Sequence, residues 1–187
     1  MNMTGHSGLI DSPRRWDFLA SLMNEQGYKS FVEVGCKEGR TTGFILKNVP
    51  DSTVISVDPW ITQDATHDPT KETYKEWDFS KIEAEFWANV GENKDRCSMW
   101  RMTSEEAAKT GPQPPDGWDI VFIDALHDYE HVKQDIELWW PKVRSGGILS
   151  GHDFNHRWPG VERAVAESFN LMQVGVGPDS VWFVVKP

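Results

Sequence analysis

The chain has 187 residues, 39% of them hydrophobic and 26% charged, with 19 basic against 29 acidic side chains and a formal charge of −10. That length suits one domain, that balance excludes a largely disordered chain, and the acidic excess disfavours bulk attraction to nucleic acid or to an anionic membrane. Its apolar runs are too short for a membrane-spanning helix, its start (MNMTGHSGLIDSPRR) lacks the pattern of a secretory signal, and Cys36 and Cys97 are too few for a disulfide scaffold, so a cytoplasmic protein is expected.

Asp11-Ser12-Pro13 reads as a helix start and Gly27 as its stop, with Trp16, Leu19, Ala20 and Met23 at helical spacing between them. Phe31–Val34 is a short strand running through a glycine-containing turn into a helix over Thr41–Val49. Val54–Val57 is the next strand and ends at Asp58. Residues 59–70 read as a loop long enough to be functional, and a helix fits Lys71–Val90, broken near Asp78-Phe79-Ser80. Cys97–Met102 makes a third strand, and Thr103 with Glu106 forms a capping-box pair opening a short helix.

Ile120–Ile123 is wholly apolar, as the centre of a parallel sheet requires. A helix over Asp128–Trp140 follows, with Asp128 as its N-cap. Gly146-Gly147 leads into a strand at Ile148–Ser150, then comes a helix over Val161–Phe169. Leu171–Val176 and Val181–Val185, joined by Gly177-Pro178-Asp179-Ser180, read as a hairpin. The pattern predicts an α/β fold. It is a doubly wound, Rossmann-like sheet, mostly parallel with a C-terminal antiparallel hairpin, in a single domain over 1–187 with residues 1–29 as a helical segment packed on it.

In such sheets ligands sit beyond the carboxyl ends of the strands. Gly35 and Gly39 let the first turn pass close to a ligand, and the helix behind it offers free N–H groups. A dinucleotide fingerprint needs G-x-G-x-x-G, but positions 37 and 40 are Lys and Arg, which argues against a nicotinamide oxidoreductase. Asp58, 23 positions after Gly35, ends the second strand where a carboxylate can accept bonds from both ribose hydroxyls. Together these residues favour a nucleoside site.

Glu33-x-Gly35-x-x-x-Gly39-x-Thr41, then Asp58, then Phe122-Ile123-Asp124 and the closing hairpin resemble the class I S-adenosylmethionine (SAM)-dependent methyltransferases. The stretch from Ile123-Asp124-Ala125-Leu126-His127-Asp128 to Gly151-His152-Asp153-Phe154 is similar to the small metal-dependent O-methyltransferases, including the macrocin-type sugar enzymes and, more distantly, catechol O-methyltransferase. The resemblance implies SAM as cofactor. Gly35 would lie against its amino-acid part with Glu33 supporting the loop and Gly39 following it, Asp58 on the ribose, and Thr103 and Ser104 beside the adenine. The chain departs from the commoner GxGxG loop at Lys37, and from the Asp-Asn pair of the catechol enzyme at His152-Asp153.

Asp124 ends the fourth strand and His152-Asp153 the fifth. If those strands are neighbours, about 4.8 Å apart, the three side chains converge on one divalent cation, magnesium or manganese. His127 falls where the catechol enzyme has its general base, and an imidazole can take a hydroxyl proton at neutral pH. His131 reads as a solvated helix residue. His156, Arg157 and Trp158 are candidates for the substrate entrance, and Trp60 and His67 for closing over the cofactor.

The expectation is therefore a metal-assisted O-methyltransferase acting on a small hydroxylated metabolite, a sugar among the candidates, with catalysis resting on His127 and on Asp124. A short lid over residues 59–80 or a second subunit would close the pocket, which makes a homodimer reasonable. The alternatives are a non-catalytic nucleoside-binding or scaffold protein of the same fold, and a metal-dependent hydrolase, which would leave Glu33, Gly35 and Asp58 unexplained.

Overall fold

The computed structural model describes residues 13–61 and 78–187. Strands β1 (Ser30–Val34), β2 (Thr53–Val57), β3 (Cys97–Trp100), β4 (Trp118–Ile123), β5 (Val143–Gly151), β6 (Gly175–Val176) and β7 (Trp182–Val185) form one sheet in the order β3-β2-β1-β4-β5-β7-β6. The first five strands run parallel, and β7 lies antiparallel to both β5 and β6. Helices α1 (Arg15–Gln26), α2 (Arg40–Asn48) and α3 (Phe79–Val90) cover one face, where Phe31, Ile120, Phe122 and Ile148 meet Leu19, Ile45 and Phe86. Helices α4 (Ser104–Thr110), α5 (Tyr129–Trp139) and α6 (Pro159–Ser168) cover the other, where Val32, Val121, Ile123 and Leu149 meet Ala107, Val132, Ile136 and Val165. Alternate residues of β4 face opposite cores, which is why its run carries no polar position after Asp119.

Several expectations from sequence need adjustment. β3 stops at Trp100, because the Met102 N–H turns back to the Trp100 carbonyl. β5 begins at Val143, ahead of the glycine pair. Gly146, at φ 71°, and Gly147 lie inside it at a bulge where the register jumps from Trp118↔Val143 to Ile120↔Ile148. A Cβ on Gly147 would sit 2.8 Å from the Asp119 carbonyl oxygen. The first arm of the expected hairpin is a 3-10 turn over Leu171–Gln173 and the two-residue β6. The 71–77 part of the expected third helix lies outside the described residues. None of the described helices is long and apolar enough to cross a membrane.

The amino edge of the sheet is pinned by one carboxylate. Asp119 on β4 accepts from the Lys29 and Ser30 N–H groups and from the Ser30 hydroxyl, at 2.8–2.9 Å, and pairs with Arg144 Nε at 2.6 Å. From that pin the ladders run in register to the opposite edge, where Val34 pairs with Val57 and Ile123, and Ile123 with Gly151. The next residues on these strands are Asp58, Gly35, Asp124 and His152. Neighbouring strands are spaced ~4.8 Å apart, so the register itself sets these four side by side.

Candidate active site

The first half of the site is built around the β1–α2 turn. Gly35 has φ 86°, and a Cβ there would lie 2.3 Å from the Asp124 carbonyl oxygen and 2.6 Å from the Ala125 Cα, so only glycine lets the turn lie against the end of β4. Asp58 ties this turn to the segment after β2: its carboxylate accepts from the Lys37 N–H at 2.9 Å and the Trp60 N–H at 2.8 Å. Burial pushes the Asp58 carboxyl up against the pull of those bonds. The Trp60 indole closes the loop, donating from Nε1 to the Lys37 carbonyl at 3.0 Å and standing edge-on to Phe86.

Behind the turn, Glu33 is buried and accepts from the Thr42 N–H at 3.0 Å and the Thr42 hydroxyl at 2.5 Å, fastening the first turn of α2 to β1. Its burial raises the carboxyl to about 7.

Thr103 caps α4 as expected: its hydroxyl accepts from the Glu106 N–H while the Glu106 carboxylate accepts from the Thr103 N–H. Ser104 takes a bond from Trp139 Nε1 at 2.9 Å and donates to Asp135, an acid of α5 that is 5% exposed and raised by burial to about 6.

The second half gathers at the ends of β4 and β5. The ligand atoms of Asp124, His152 and Asp153 lie within 4.8 Å of one another, the spacing of donors around a single ion. His127 joins them, its Nε2 2.8 Å from Asp153 and 3.8 Å from Asp124. Among the described residues neither ring nitrogen of His127 has a hydrogen-bond partner, and its close approach to Asp153 is an ion pair. His127 stacks on Trp158, ring centroids 4.3 Å apart.

Burial pulls the two imidazoles down in pKa, but Asp124 and Asp153 outweigh it and lift His127 to about 9 and His152 to about 10. The same pairing overcomes burial at the acids and holds both below the usual carboxylate range. Four charged groups thus share a pocket whose side chains are only 13–17% exposed. Asp153 sits at φ 58°, a strained conformation that aims its carboxylate back at the cluster.

Both halves open into one cavity of about 740 Å³, the size of a small-molecule site. Its walls include Glu33, Gly35, Asp58, Thr103, Ser104, Asp124, His127, His152 and Asp153, so it unites all but one of the catalytic, cofactor and metal candidates read from the sequence. The exception is Gly39. It starts α2 at φ 72° behind the turn, where a Cβ would run into the Phe86 ring at 2.5 Å.

Among the secondary candidates, Trp60 and His131 also line the cavity, the latter with Nδ1 2.7 Å from Asp128, the N-cap of α5. Trp158 backs His127, and His156 is fully exposed beside Glu162. Arg157 is exposed outside the cavity walls, and His67 lies outside the described residues. Sequence reading missed Arg15 and gave no site role to Asp135, which lies in the stretch that carries the resemblance; both are cavity residues. Arg15 belongs to no motif.

A family model described as a methyltransferase domain matches residues 32–154, which hold every strand end of the site. The chain is 27% identical over 158 residues to an uncharacterized protein of Acanthamoeba polyphaga mimivirus, an alignment covering 80% of this chain and 66% of that protein. It therefore spans just under two thirds of that relative's length. Among solved structures it is similar to the O-methyltransferase from Bacillus cereus in complex with SAH, at 17% identity and a TM-score of 0.62, over 91% of this chain and 80% of that one. It is also similar to the O-methyltransferase TomG from Streptomyces achromogenes, involved in tomaymycin synthesis and solved with SAM, at 14% identity and a TM-score of 0.60, over 92% and 79% of the two chains. Those two likenesses concern the fold. The family match covers about two thirds of the chain and takes in the row of Gly35, Asp58 and Asp124 along the carboxyl edge: the chain belongs to the family described as a methyltransferase domain.

Proposed function

We infer that the protein is a metal-assisted O-methyltransferase whose acceptor is a small molecule with neighbouring hydroxyls, as a sugar or a catechol carries. The observation that carries this reading is the convergence of Asp124, His152 and Asp153 within 4.8 Å on the wall of the cavity that also holds Gly35 and Asp58. Two carboxylates and an imidazole suit magnesium or manganese, and the buried, unpartnered nitrogens of His127 and His152 fit a site made for more than mutual pairing. Both cysteines are free, in keeping with a cytoplasmic setting.

SAM would supply the methyl group as a sulfonium, and the cation would supply positive charge beside the acceptor oxygens. The chain's own contribution is alignment and proton handling. Gly35 gives the cofactor room against β1, while Asp58, Thr103 and Ser104 line the nucleoside side. Asp124, His152 and Asp153 would hold the cation.

His127 is a protonated imidazolium at neutral pH while Asp124 and Asp153 face it unshared. A cation held by both carboxylates would supply positive charge that offsets their hold on this proton, and Nε2 of His127 is the chain's own acceptor for the proton of the acceptor hydroxyl. Trp158, stacked on the ring, keeps His127 from turning away.

Asp124→Asn and Asp153→Asn are expected to abolish methyl transfer to a panel of hydroxylated acceptors, while calorimetry with S-adenosylhomocysteine shows cofactor binding retained. Full transfer by both variants in excess chelator would remove the cation from the reaction.

A further inference from the structure

The antiparallel turn ahead of β7 brings a third acid toward the site. Asp179 lies at φ 55° in the tight turn over Pro178–Ser180, and its Oδ2 is 3.7 Å from His152 Nε2, on the side of the ring away from Asp124 and Asp153. That Nε2 is buried and has no hydrogen-bond partner among the described residues, while Nδ1 of the same ring faces Asp153 at 3.2 Å and Asp124 at 3.5 Å. Arg15, the first residue of α1, holds Asp179 from behind, with its backbone N–H 3.3 Å and its guanidinium 3.6 Å from Oδ2. The Arg15 Nε lies 3.4 Å from Asp124 Oδ2 and closes a ring of four residues, Arg15, Asp124, His152 and Asp179.

The turn is stapled to the strand it serves. Phe154 donates to the Ser180 carbonyl at 3.0 Å, and Asn155 Nδ2 to the Ser180 hydroxyl at 3.1 Å.

A histidine that gives Nδ1 to a cation keeps its proton on Nε2, and ligating histidines are commonly oriented by a carboxylate accepting that proton. We propose that Asp179 is this positioning residue: it accepts the His152 Nε2–H, directly or through one water, and so aims Nδ1 at the cation held with Asp124 and Asp153. The proposal rests on the cation reading above. Asp179 itself is not a ligand, since it stands outside the group whose donor atoms lie within 4.8 Å of one another.

The test is a manganese titration of the full chain, following the electron paramagnetic resonance signal of the free ion, for wild type, Asp153→Asn, Asp179→Gly and Asp179→Asn. Glycine removes the carboxylate and tolerates φ 55°; asparagine also tolerates it and keeps an acceptor oxygen without the charge. The wild type is expected to bind one ion and Asp153→Asn to lose it. Asp179→Gly should weaken binding by roughly 10- to 100-fold, and Asp179→Asn should recover most of that loss.

Wild-type affinity in Asp179→Gly, with Asp153→Asn defective, overturns the role of Asp179 and leaves the cation site standing. Equal weakening in the glycine and asparagine variants also overturns it, because net charge alone would then account for the effect. No manganese binding by the wild type, or unchanged binding by Asp153→Asn, overturns the cation reading itself. Should the glycine variant fail to fold, Asp179→Ser, whose hydroxyl is too short to reach His152, is held to the same outcomes.

Discussion

Glu33 is the residue whose ionisation and whose architectural duty pull in opposite directions. It is buried behind the β1–α2 turn, yet it organises the start of α2 through Thr42. Burial raises its carboxyl from 4.5 to about 7, so the folded protein keeps the proton over a range in which the unfolded chain has lost it. Its contribution to stability is therefore fully present below about pH 4.5 and is lost as pH rises through about 7, an effect on the order of 3 kcal/mol. Glu33→Gln keeps the shape and an acceptor oxygen for Thr42 but cannot ionise. Urea unfolding of both proteins at pH 5 and pH 8 is expected to show near-equal midpoints at the lower pH and a more stable glutamine variant at the higher. Parallel behaviour at both would mean that Glu33 is ionised throughout.

Among the elements, α4 depends most visibly on local chemistry. It spans 7 residues, too short to hold itself by helix propensity, and its capping box supplies partners for N–H groups that the first turn leaves open. Thr103→Ala is expected to cost about 1 kcal/mol of global stability, with Thr103→Ser restoring it, as measured by urea unfolding. An alanine variant as stable as wild type would show that the Ser104–Asp135 bond alone fixes the helix.

This cap was legible because both partners lie within four residues of sequence. The strand ends were legible for a related reason: β1, β2 and β4 each end on an apolar residue followed by a glycine or an acid, and the register carries Gly35, Asp58, Asp124 and His152 to one edge. Gly39 packs against Phe86, and spacing alone cannot separate a glycine needed for that contact from one needed by a ligand. Arg15 and Asp179 were illegible for a topological reason. One opens the first described helix and the other sits in a turn near the C-terminus, and only the antiparallel placement of β7 beside β5 sets Asp179 between Arg15 and His152.

Over the whole molecule, ligand binding and folding stability are linked, because the cavity draws its walls from both helical layers and from the segments following β1, β2, β4 and β5. A ligand that binds only the folded chain stabilises it by about 2.7 kcal/mol when present at 100 times its Kd. For a chain of this length that corresponds to a rise in Tm of roughly 5–10 °C. S-adenosylhomocysteine at such a concentration is expected to produce that rise in a thermal scan, and NAD at the same concentration is not. An equal response to both would contradict the nucleoside specificity expected of a turn with Lys37 and Arg40 in place of glycines.

The Asp119 clamp at the amino edge has a consequence for how the family can vary. It fixes where β1 and β4 begin relative to each other, so the count of residues from clamp to rim acts as a ruler for the pocket. One residue added between Asp119 and Asp124 would flip the acid to the opposite side of the sheet. A residue added to a connection outside that interval, such as 111–117, would leave the rim at constant height.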